Sequence, residues 1–200
     1  MSMIQSICVY CGSSPGTDPI FVETAQKFGQ ILAQNGITLV YGGGSRGLMG
    51  ALALSVHENG GRVIGVIPEF LKVRERMFTG AQEIVVTRDM HERKRMMFER
   101  ADAFVALPGG IGTLEELVEQ LTWSQLGRHR KPILVANING FWEPLVELLE
   151  HMKRSGFIHS DLMFDYAVVD RIEEVVPAIK SAAARVAGPA EPIPEAIERM

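Results

Sequence analysis

The chain has 200 residues, of which 46% are hydrophobic and 22% charged, and its formal net charge at pH 7 is −4. That length fits one domain with a sizeable core, and the mild acidity gives no reason to expect a nucleic-acid polymer as a partner. Because no apolar run approaches the roughly 18 residues of a membrane span, and the first residues lack the basic start of a signal peptide, we expect a cytoplasmic protein without a membrane partner.

The predicted elements alternate along the chain. Strand-like apolar runs lie at 4–10, 37–41, 62–67, 82–87, 102–107 and 132–136, with a weaker one at 166–169. Helical patterns lie between and after them, at 18–34, 47–59, 89–101, 113–126, 141–154 and 172–185. This alternation predicts a doubly wound, Rossmann-like α/β fold, with a parallel sheet covered by helices on both faces. We expect residues 1–185 to form this single domain and the proline-containing residues 186–200 to form a flexible tail.

Two cysteines near the N-terminus, Cys8 and Cys11, form a C-x-x-C motif. A redox pair of this kind opens a helix, whereas Cys8 lies inside a predicted strand. Two thiols are also too few for a structural zinc site without matched histidines. We therefore expect reduced cysteines at a strand and its end.

Unusual residues follow the carboxyl ends of the predicted strands. Glycine-rich turns follow the first, second and fifth strands ("GSSPG", "GGGSRG" and "PGGIGT"), and "PEF", "RDMHERK" and "NING" follow the third, fourth and sixth. Open α/β sheets bind ligands along this edge, near the point where the strand order reverses. The chain order therefore predicts a single site at that edge.

The second of these turns, "GGGSRGLMG", formally contains the dinucleotide fingerprint, as Gly42-x-Gly44-x-x-Gly47. It follows the second predicted strand rather than the first, and Arg46 stands inside the turn. A guanidinium there suits a terminal phosphate, or a structural ion pair, better than a pyrophosphate already held by amides. A phosphate-binding turn is favoured, while an NAD-binding turn and a purely structural turn stay open.

The segment "RDMHERKRMM" predicts a helix with a capping box formed by Asp89 and Glu92. Helical periodicity places Arg93 and Lys94 on the side of Met97, opposite the expected exposed face. Both cations also lie in about the first turn, where the helix dipole disfavours positive charge. Two cations that are unfavourable for the helix and point toward the core indicate a function. We therefore favour a role in binding an anion or the substrate over the alternative that they belong to a solvated helix face.

The turn "PGGIGTLEE" can surround a phosphate with the amides of Gly110 to Thr113, helped by the Thr113 hydroxyl. Glu116 has two interpretations. It is either a catalytic carboxylate or the partner of Thr113 in a second capping box.

Periodicity predicts a core stripe on the helix that follows this turn, made of Leu114, Leu117, Val118 and Leu121. Glu116, Glu119 and Trp123 then share the other side. An indole beside acids on that side suggests that a second subunit covers it.

Together these motifs resemble the LOG ("Lonely Guy") family, cytokinin riboside 5′-monophosphate phosphoribohydrolases long mislabelled as lysine decarboxylases. The resemblance runs from "VYCGSSPG" to about "GFI" at 156–158. It implies a homodimer, without metal or redox cofactor, that cleaves the N-glycosidic bond of nucleoside 5′-monophosphates. The family's P-G-G-x-G-T-x-x-E motif falls on Pro108, Gly109, Gly110, Gly112, Thr113 and Glu116.

The resemblance also implies roles for single residues. The family's catalytic arginine and glutamate fall on Arg93 and Glu116. The segment around Glu75, "KVRERMFTG", departs from the family's usual shorter form. The implied substrate-binding residues are Gly44, Arg46, Glu75, Lys94, Gly109, Gly110, Ile111, Gly112, Thr113, Leu114, Glu115 and Thr122.

The resemblance implies chemistry in which an anion-binding turn and a carboxylate act side by side. Glu116 would stabilise a ribose that becomes cationic as the base departs, and Arg93 would act electrostatically. The preferred base, adenine or an N6-prenylated adenine, would depend on an apolar lining drawn from Met49, Met96 or Met97. The alternatives are a non-catalytic nucleotide or molybdopterin carrier, a decarboxylase and a dehydrogenase.

Overall fold

Seven parallel strands form one sheet at the centre of the computed structural model, which describes residues 4–158 and 166–186. The strand order is β4-β3-β2-β1-β5-β6-β7, and each pair of neighbours is parallel. The bounds are β1 (Ser6–Tyr10), β2 (Thr38–Tyr41), β3 (Val63–Pro68), β4 (Glu83–Thr87), β5 (Ala103–Ala106), β6 (Ile133–Ala136) and β7 (Tyr166–Val169).

Six α-helices connect or follow the strands. They are α1 (Pro19–Gln34), α2 (Gly47–Glu58), α3 (Met90–Glu99), α4 (Ile111–Gln125), α5 (Glu143–Arg154) and α6 (Val175–Val186). The predicted strands and helices are confirmed, although α4 begins two residues before the predicted position 113. The predicted tail boundary at 186 is the last residue of α6, and residues 187–200 lie outside the described part of the chain.

Side chains of each central strand alternate between two apolar layers. In β1, Ile7 and Val9 join the layer formed with α1, α2 and α6, whereas Cys8 and Tyr10 join the layer formed with α3, α4 and α5. This is the period of two that a strand buried on both faces requires. The doubly wound, Rossmann-like architecture is therefore confirmed.

The cysteines lie where the sequence predicted them, at β1 and its end. Cys8 and Cys11 are both free thiols and both buried. Burial raises the pKa of each thiol far above its usual value, which disfavours the thiolate that redox chemistry and metal binding need. The prediction of reduced cysteines at a strand and its end is confirmed.

The strand order reverses at β1, which has β2 on one side and β5 on the other. The loops that leave the carboxyl ends of these strands are tied together. The amide of Gly12 donates to the carbonyl of Pro108 at 3.1 Å, and the amide of Leu48 donates to the carbonyl of Gly12 at 3.0 Å. The turns that follow β1, β2 and β5 therefore meet at the predicted ligand-binding edge.

No helix within residues 4–158 and 166–186 is long and apolar enough to cross a membrane. The cytoplasmic location stays a prediction from the sequence.

Candidate active site

Helix α3 carries Arg93 and begins with a well-formed cap. The amide of Glu92 donates to Oδ1 of Asp89 at 2.8 Å, and the Glu92 carboxylate accepts from the amide of Arg88 at 2.8 Å. The predicted cap by Asp89 is confirmed, while Glu92 reaches back one residue further than a standard capping box. These two acidic groups stabilise the first turn of the helix, and the cations Arg93 and Lys94 follow as its fourth and fifth residues.

Arg93 is buried, as its predicted position on the core side of α3 required. Its Nη1 lies 3.1 Å from Oε1 of Glu116 on α4, and its Nε donates to the carbonyl of Val66 on β3 at 3.2 Å. Both charged side chains are only 10% exposed. A buried ion pair is costly to desolvate, so its presence where the turns converge is more easily explained by function than by stability.

Helix α4 begins in a way that the sequence did not predict. Gly110 is the residue that caps the helix, with extended φ and ψ of −91° and −159°, and no side chain caps the first turn. Thr113 is therefore already inside the helix. The capping-box interpretation of Thr113 and Glu116 is wrong, because Glu116 pairs with Arg93 instead of binding the start of its own helix.

The electrostatics of Glu116 follow from this burial. Loss of hydration raises the pKa of the Glu116 carboxyl above its ordinary value, and the Arg93 guanidinium partly opposes that rise. The carboxylate is therefore a stronger base than an exposed glutamate, while its arginine partner still favours the charged form. A buried carboxyl with a raised pKa and a specific charged partner is a common feature of active sites.

The start of α4 is open to an anion. Within the described residues, the amides of Ile111, Gly112 and Thr113 have no hydrogen-bond partner. Side chains placed at Gly110 or Gly112 would meet only open space, and Ile111 is 81% exposed. Three free amides at a positive helix end form a site that suits a phosphate.

The start of α2 is not open in the same way. The amides of Leu48 and Met49 both donate to the carbonyl of Gly12, at 3.0 and 3.2 Å. Arg46 precedes the helix, is exposed, and makes no capping hydrogen bond. The first turn of α2 therefore ties the loop after β2 to the loop after β1, whereas the first amides of α4 are free within the described part of the chain.

The segment that contains Glu75 is anchored on the glycine turn after β2. The amide of Phe78 donates to the carbonyl of Gly43, and the amide of Ser45 donates to the carbonyl of Arg76, at 3.0 and 2.9 Å. A side chain at Gly44 would lie 3.4 Å from Oε2 of Glu75. The structure thus brings the predicted residues Gly44 and Glu75 together at the sheet edge.

Lys94 and Glu115 have partners of their own. The Nζ of Lys94 lies 2.7 Å from Oε1 of Glu115 and 2.8 Å from Oε1 of Glu119, and so links α3 to α4. Further along α4, the hydroxyl of Thr122 is exposed and donates to the carbonyl of Val118. Contacts of Lys94, Glu115 and Thr122 with substrate stay predictions.

The predicted stripe on α4 is partly wrong. Val118 is 41% exposed, whereas Glu116 and Gln120 are buried at 8% and 1% exposure. Leu117 and Leu121 are buried as predicted, and Leu114 is half-buried against the same layer. The buried face turns toward Glu116 because Arg93 supplies a partner for its charge.

Trp123, from which the sequence suggested a second subunit, has partners in its own chain, so the contact with a second subunit stays a prediction. The indole packs edge-on against Phe98 with ring centroids 5.1 Å apart, and the guanidinium of Arg128 lies 5.0 Å from its centre. Its own chain therefore covers much of this side chain.

Some residues at the site were missed by the sequence analysis. One of these is Met90, whose sulfur lies 3.9 Å from Nη1 of Arg93. Met49, which we expected near the base, lies beside Gly42 and Gly44. Met97, which we expected near the base, is 1% exposed and belongs to the core. The carbonyl of Val66 had no sequence signal, because a backbone acceptor is present at every residue.

Within residues 4–158 and 166–186, no cluster of three or more His, Cys, Asp or Glu side chains could hold a metal ion.

Fold and site together define a Rossmann-like α/β protein in which a helix start with three free amides lies about one turn from a buried arginine–glutamate pair. The same fold occurs in the molybdenum cofactor carrier protein of Chlamydomonas reinhardtii, with a TM-score of 0.69 and 20% identity over 92% of this chain and 99% of that one. The molybdenum cofactor binding protein of Rippkaea orientalis matches with a TM-score of 0.66 and 21% identity, over the same shares of each chain. At such identities the likeness shows the fold alone.

Sequence comparisons identify the family. A family model described as "Possible lysine decarboxylase" matches residues 49–179. The cytokinin riboside 5′-monophosphate phosphoribohydrolase of Rhodococcoides fascians is 43% identical over 178 residues, 88% of this chain and 90% of that protein. The phosphoribohydrolase LOG7 of Arabidopsis thaliana is 48% identical over 157 residues, 78% of this chain and 72% of that protein. The chain belongs to the LOG family.

Proposed function

We propose that this protein hydrolyses the N-glycosidic bond of nucleoside 5′-monophosphates, releasing the free base and ribose 5-phosphate. The relatives that share 43–48% identity are named for this reaction on cytokinin riboside 5′-monophosphates. The observation that carries the proposal is the buried Arg93–Glu116 pair, one turn from the free amides at the start of α4. This arrangement supplies the positive and negative groups that the substrate needs.

The phosphate and the reacting sugar carbon need opposite charges close together. The amides of Ile111, Gly112 and Thr113 bind the phosphate dianion and so orient the ribose. As the bond to the base breaks, positive charge develops at the sugar carbon, and the Glu116 carboxylate stabilises it. The same carboxylate orients or deprotonates the water that adds to that carbon.

Arg93 acts electrostatically rather than as a proton donor, because a guanidinium keeps its proton at any working pH. It holds Glu116 in its ionised form and presents positive charge to the phosphate, the ribose hydroxyls or the departing base. Its bond to the Val66 carbonyl fixes the guanidinium plane, so these interactions require no reorganisation during the reaction.

The direct test is to incubate the protein with AMP, and separately with isopentenyladenosine 5′-monophosphate, and to measure the free base by chromatography. We expect many turnovers with at least one of the two, and equimolar ribose 5-phosphate. A carrier would bind a nucleotide and release no base, and that result would overturn the proposal. The ratio of kcat/KM for the two substrates reports which base is preferred.

We also propose that the protein is a homodimer, as the family resemblance implies. The support is a set of exposed apolar side chains along α4 and at its end, namely Ile111 at 81%, Val118 at 41% and Leu126 at 75% exposure. Apolar groups of this size placed along one helix favour a contact with another protein surface. A second copy of the chain would cover them.

Replacing Leu126 by lysine is expected to raise the monomer fraction, because a charge would then enter an apolar interface. Sedimentation velocity at several concentrations measures the effect. The matched control is Leu54→Lys, at a 45% exposed leucine on α2, across the sheet from α4. Equal dimer stability in both variants would place the interface elsewhere, and a monomeric wild-type protein would refute the dimer.

A further inference from the structure

The guanidinium of Arg93 is surrounded by three different elements. Its Nε donates to the carbonyl of Val66 on β3, and its Nη1 pairs with Glu116 on α4. The third nitrogen, Nη2, lies against Gly42, the first residue after β2. The position of this group is therefore set by a carbonyl, a carboxylate and a residue that has no side chain.

Space, rather than backbone conformation, explains the glycine at 42. Gly43 and Gly47 have positive φ values of 80° and 57°, which favour glycine for conformational reasons. Gly42 is not among the residues with positive φ. A Cβ at Gly42 would instead clash with Nη2 of Arg93, because the two atoms would be less than 3.0 Å apart, a distance that real Cβ atoms essentially never show. The same Cβ would lie 3.5 Å from Cζ of Arg93.

We propose that Gly42 is a positioning residue for Arg93, and that its missing side chain is what allows the guanidinium to reach Glu116 and Val66 at the same time. The inference rests on the proposed function for its effect on rate. Neither phosphate binding nor backbone conformation explains why the first residue of this turn is a glycine, whereas the positioning of Arg93 does.

A methyl group at this position is expected to move Arg93 without unfolding the chain. The overlapping atom is the end of a flexible side chain, so the guanidinium can move away at little cost to the backbone. The sulfur of Met49 would lie 3.1 Å from the new Cβ and has to move by only a few tenths of an ångström. The movement costs contacts instead, because the bonds to Glu116 and Val66 depend on one orientation of the planar group. Glu116 would then be buried without its neutralising partner.

Loss of that partner has a predictable electrostatic sign. Arg93 opposes the effect of burial on Glu116, so its displacement raises the pKa of the Glu116 carboxyl further. We expect the other titratable groups near this carboxyl to keep their positions. These groups are Lys94, Glu115, Glu119, Cys8, Tyr10 and Cys11.

The test is a double-mutant cycle on AMP or isopentenyladenosine 5′-monophosphate hydrolysis. We expect Gly42→Ala to lower kcat/KM about 10- to 100-fold, the scale of a misplaced catalytic group, and to move the acid limb of the pH profile upward. In an Arg93→Ala background the same change is expected to cost less than about twofold, because no guanidinium remains to be displaced. Equal losses in both backgrounds would overturn the proposal.

A crystal structure of Gly42→Ala separates this inference from the proposed function. We expect the Arg93 guanidinium to have left Glu116, with an unchanged backbone at residues 41–44. An unmoved guanidinium would overturn the positioning role whatever the activity. If the wild-type protein releases no base from either substrate, the proposed hydrolase function fails, and the crystal structure still decides the role of Gly42.

Discussion

Replacing Glu116 by glutamine is expected to lower kcat by about two to three orders of magnitude while nucleotide binding is kept. That scale is typical of removing one group that stabilises transition-state charge. Glutamine has nearly the same shape, and its carbonyl can still accept from Nη1 of Arg93, so the packing between α3 and α4 should hold. It has no negative charge to offer the sugar and cannot take a proton from water. Base release under single-turnover conditions measures the loss, and titration calorimetry with AMP measures the affinity.

A matched control for this variant is Glu147→Gln, an exposed glutamate on α5, which should leave both quantities unchanged. Near-normal turnover by Glu116→Gln would remove the carboxylate from the mechanism.

The wild-type pH profile gives an independent check on Glu116. Burial raises the pKa of its carboxyl, so the active carboxylate form is lost at a higher pH than for an ordinary glutamate. The acid limb of kcat/KM is therefore expected above the usual range of glutamate. The folded chain also binds this proton more tightly than the unfolded chain does. This group's contribution to stability is thus greatest below the unfolded pKa and falls as pH rises through the folded pKa.

Replacing Arg93 by alanine is expected to weaken substrate binding and lower kcat, reducing kcat/KM by more than about a thousandfold. The change removes positive charge from the site and leaves Glu116 buried without a partner. Breaking one side of a buried pair also destabilises the fold, typically by about 3–5 kcal/mol. Steady-state kinetics and thermal unfolding should be measured together, so that loss of activity is not confused with loss of folded protein.

Two variants make the Arg93 result interpretable. Arg95→Ala changes an exposed arginine on the same helix and should leave both kcat and KM near the wild-type values. Arg93→Ala combined with Glu116→Gln should recover stability but not activity, because the double variant holds no unpaired buried charge. Intact kinetics in Arg93→Ala alone would contradict the assignment of this arginine.

The fold was predictable because its strands are apolar on both faces and end at glycine, proline or polar turns. Every predicted strand exists, and the strand order places the three glycine-rich turns together. The start of α4 was misplaced by two residues because its capping residue, Gly110, offers no side chain to recognise. The Thr113–Glu116 spacing imitates a capping signal that the structure does not use.

The site was only partly predictable, for a similar reason. Helical periodicity within α3 correctly placed Arg93 on the buried side. The same reasoning failed on α4, where Val118 is exposed and Glu116 buried, because the partner that makes burial of a carboxylate tolerable lies on another helix. A local sequence pattern shows only which residues are polar. It does not show that a residue of α3 will pair with one of α4, because that pairing depends on tertiary packing.

The free amides at Ile111 to Thr113 and the carboxylate of Glu116 belong to one continuous helix. Each residue of an α-helix advances by about 1.5 Å, so their separation of three to five positions corresponds to about 4.5–7.5 Å along the axis. In the proposed mechanism, this one helix therefore sets the distance between the bound phosphate and the reacting sugar carbon. If the proposed roles hold, a nucleoside without a phosphate has no group for these amides to bind, and a longer polyphosphate holds its sugar too far from Glu116. We therefore expect the number of phosphates at the 5′ position to decide which nucleotides react.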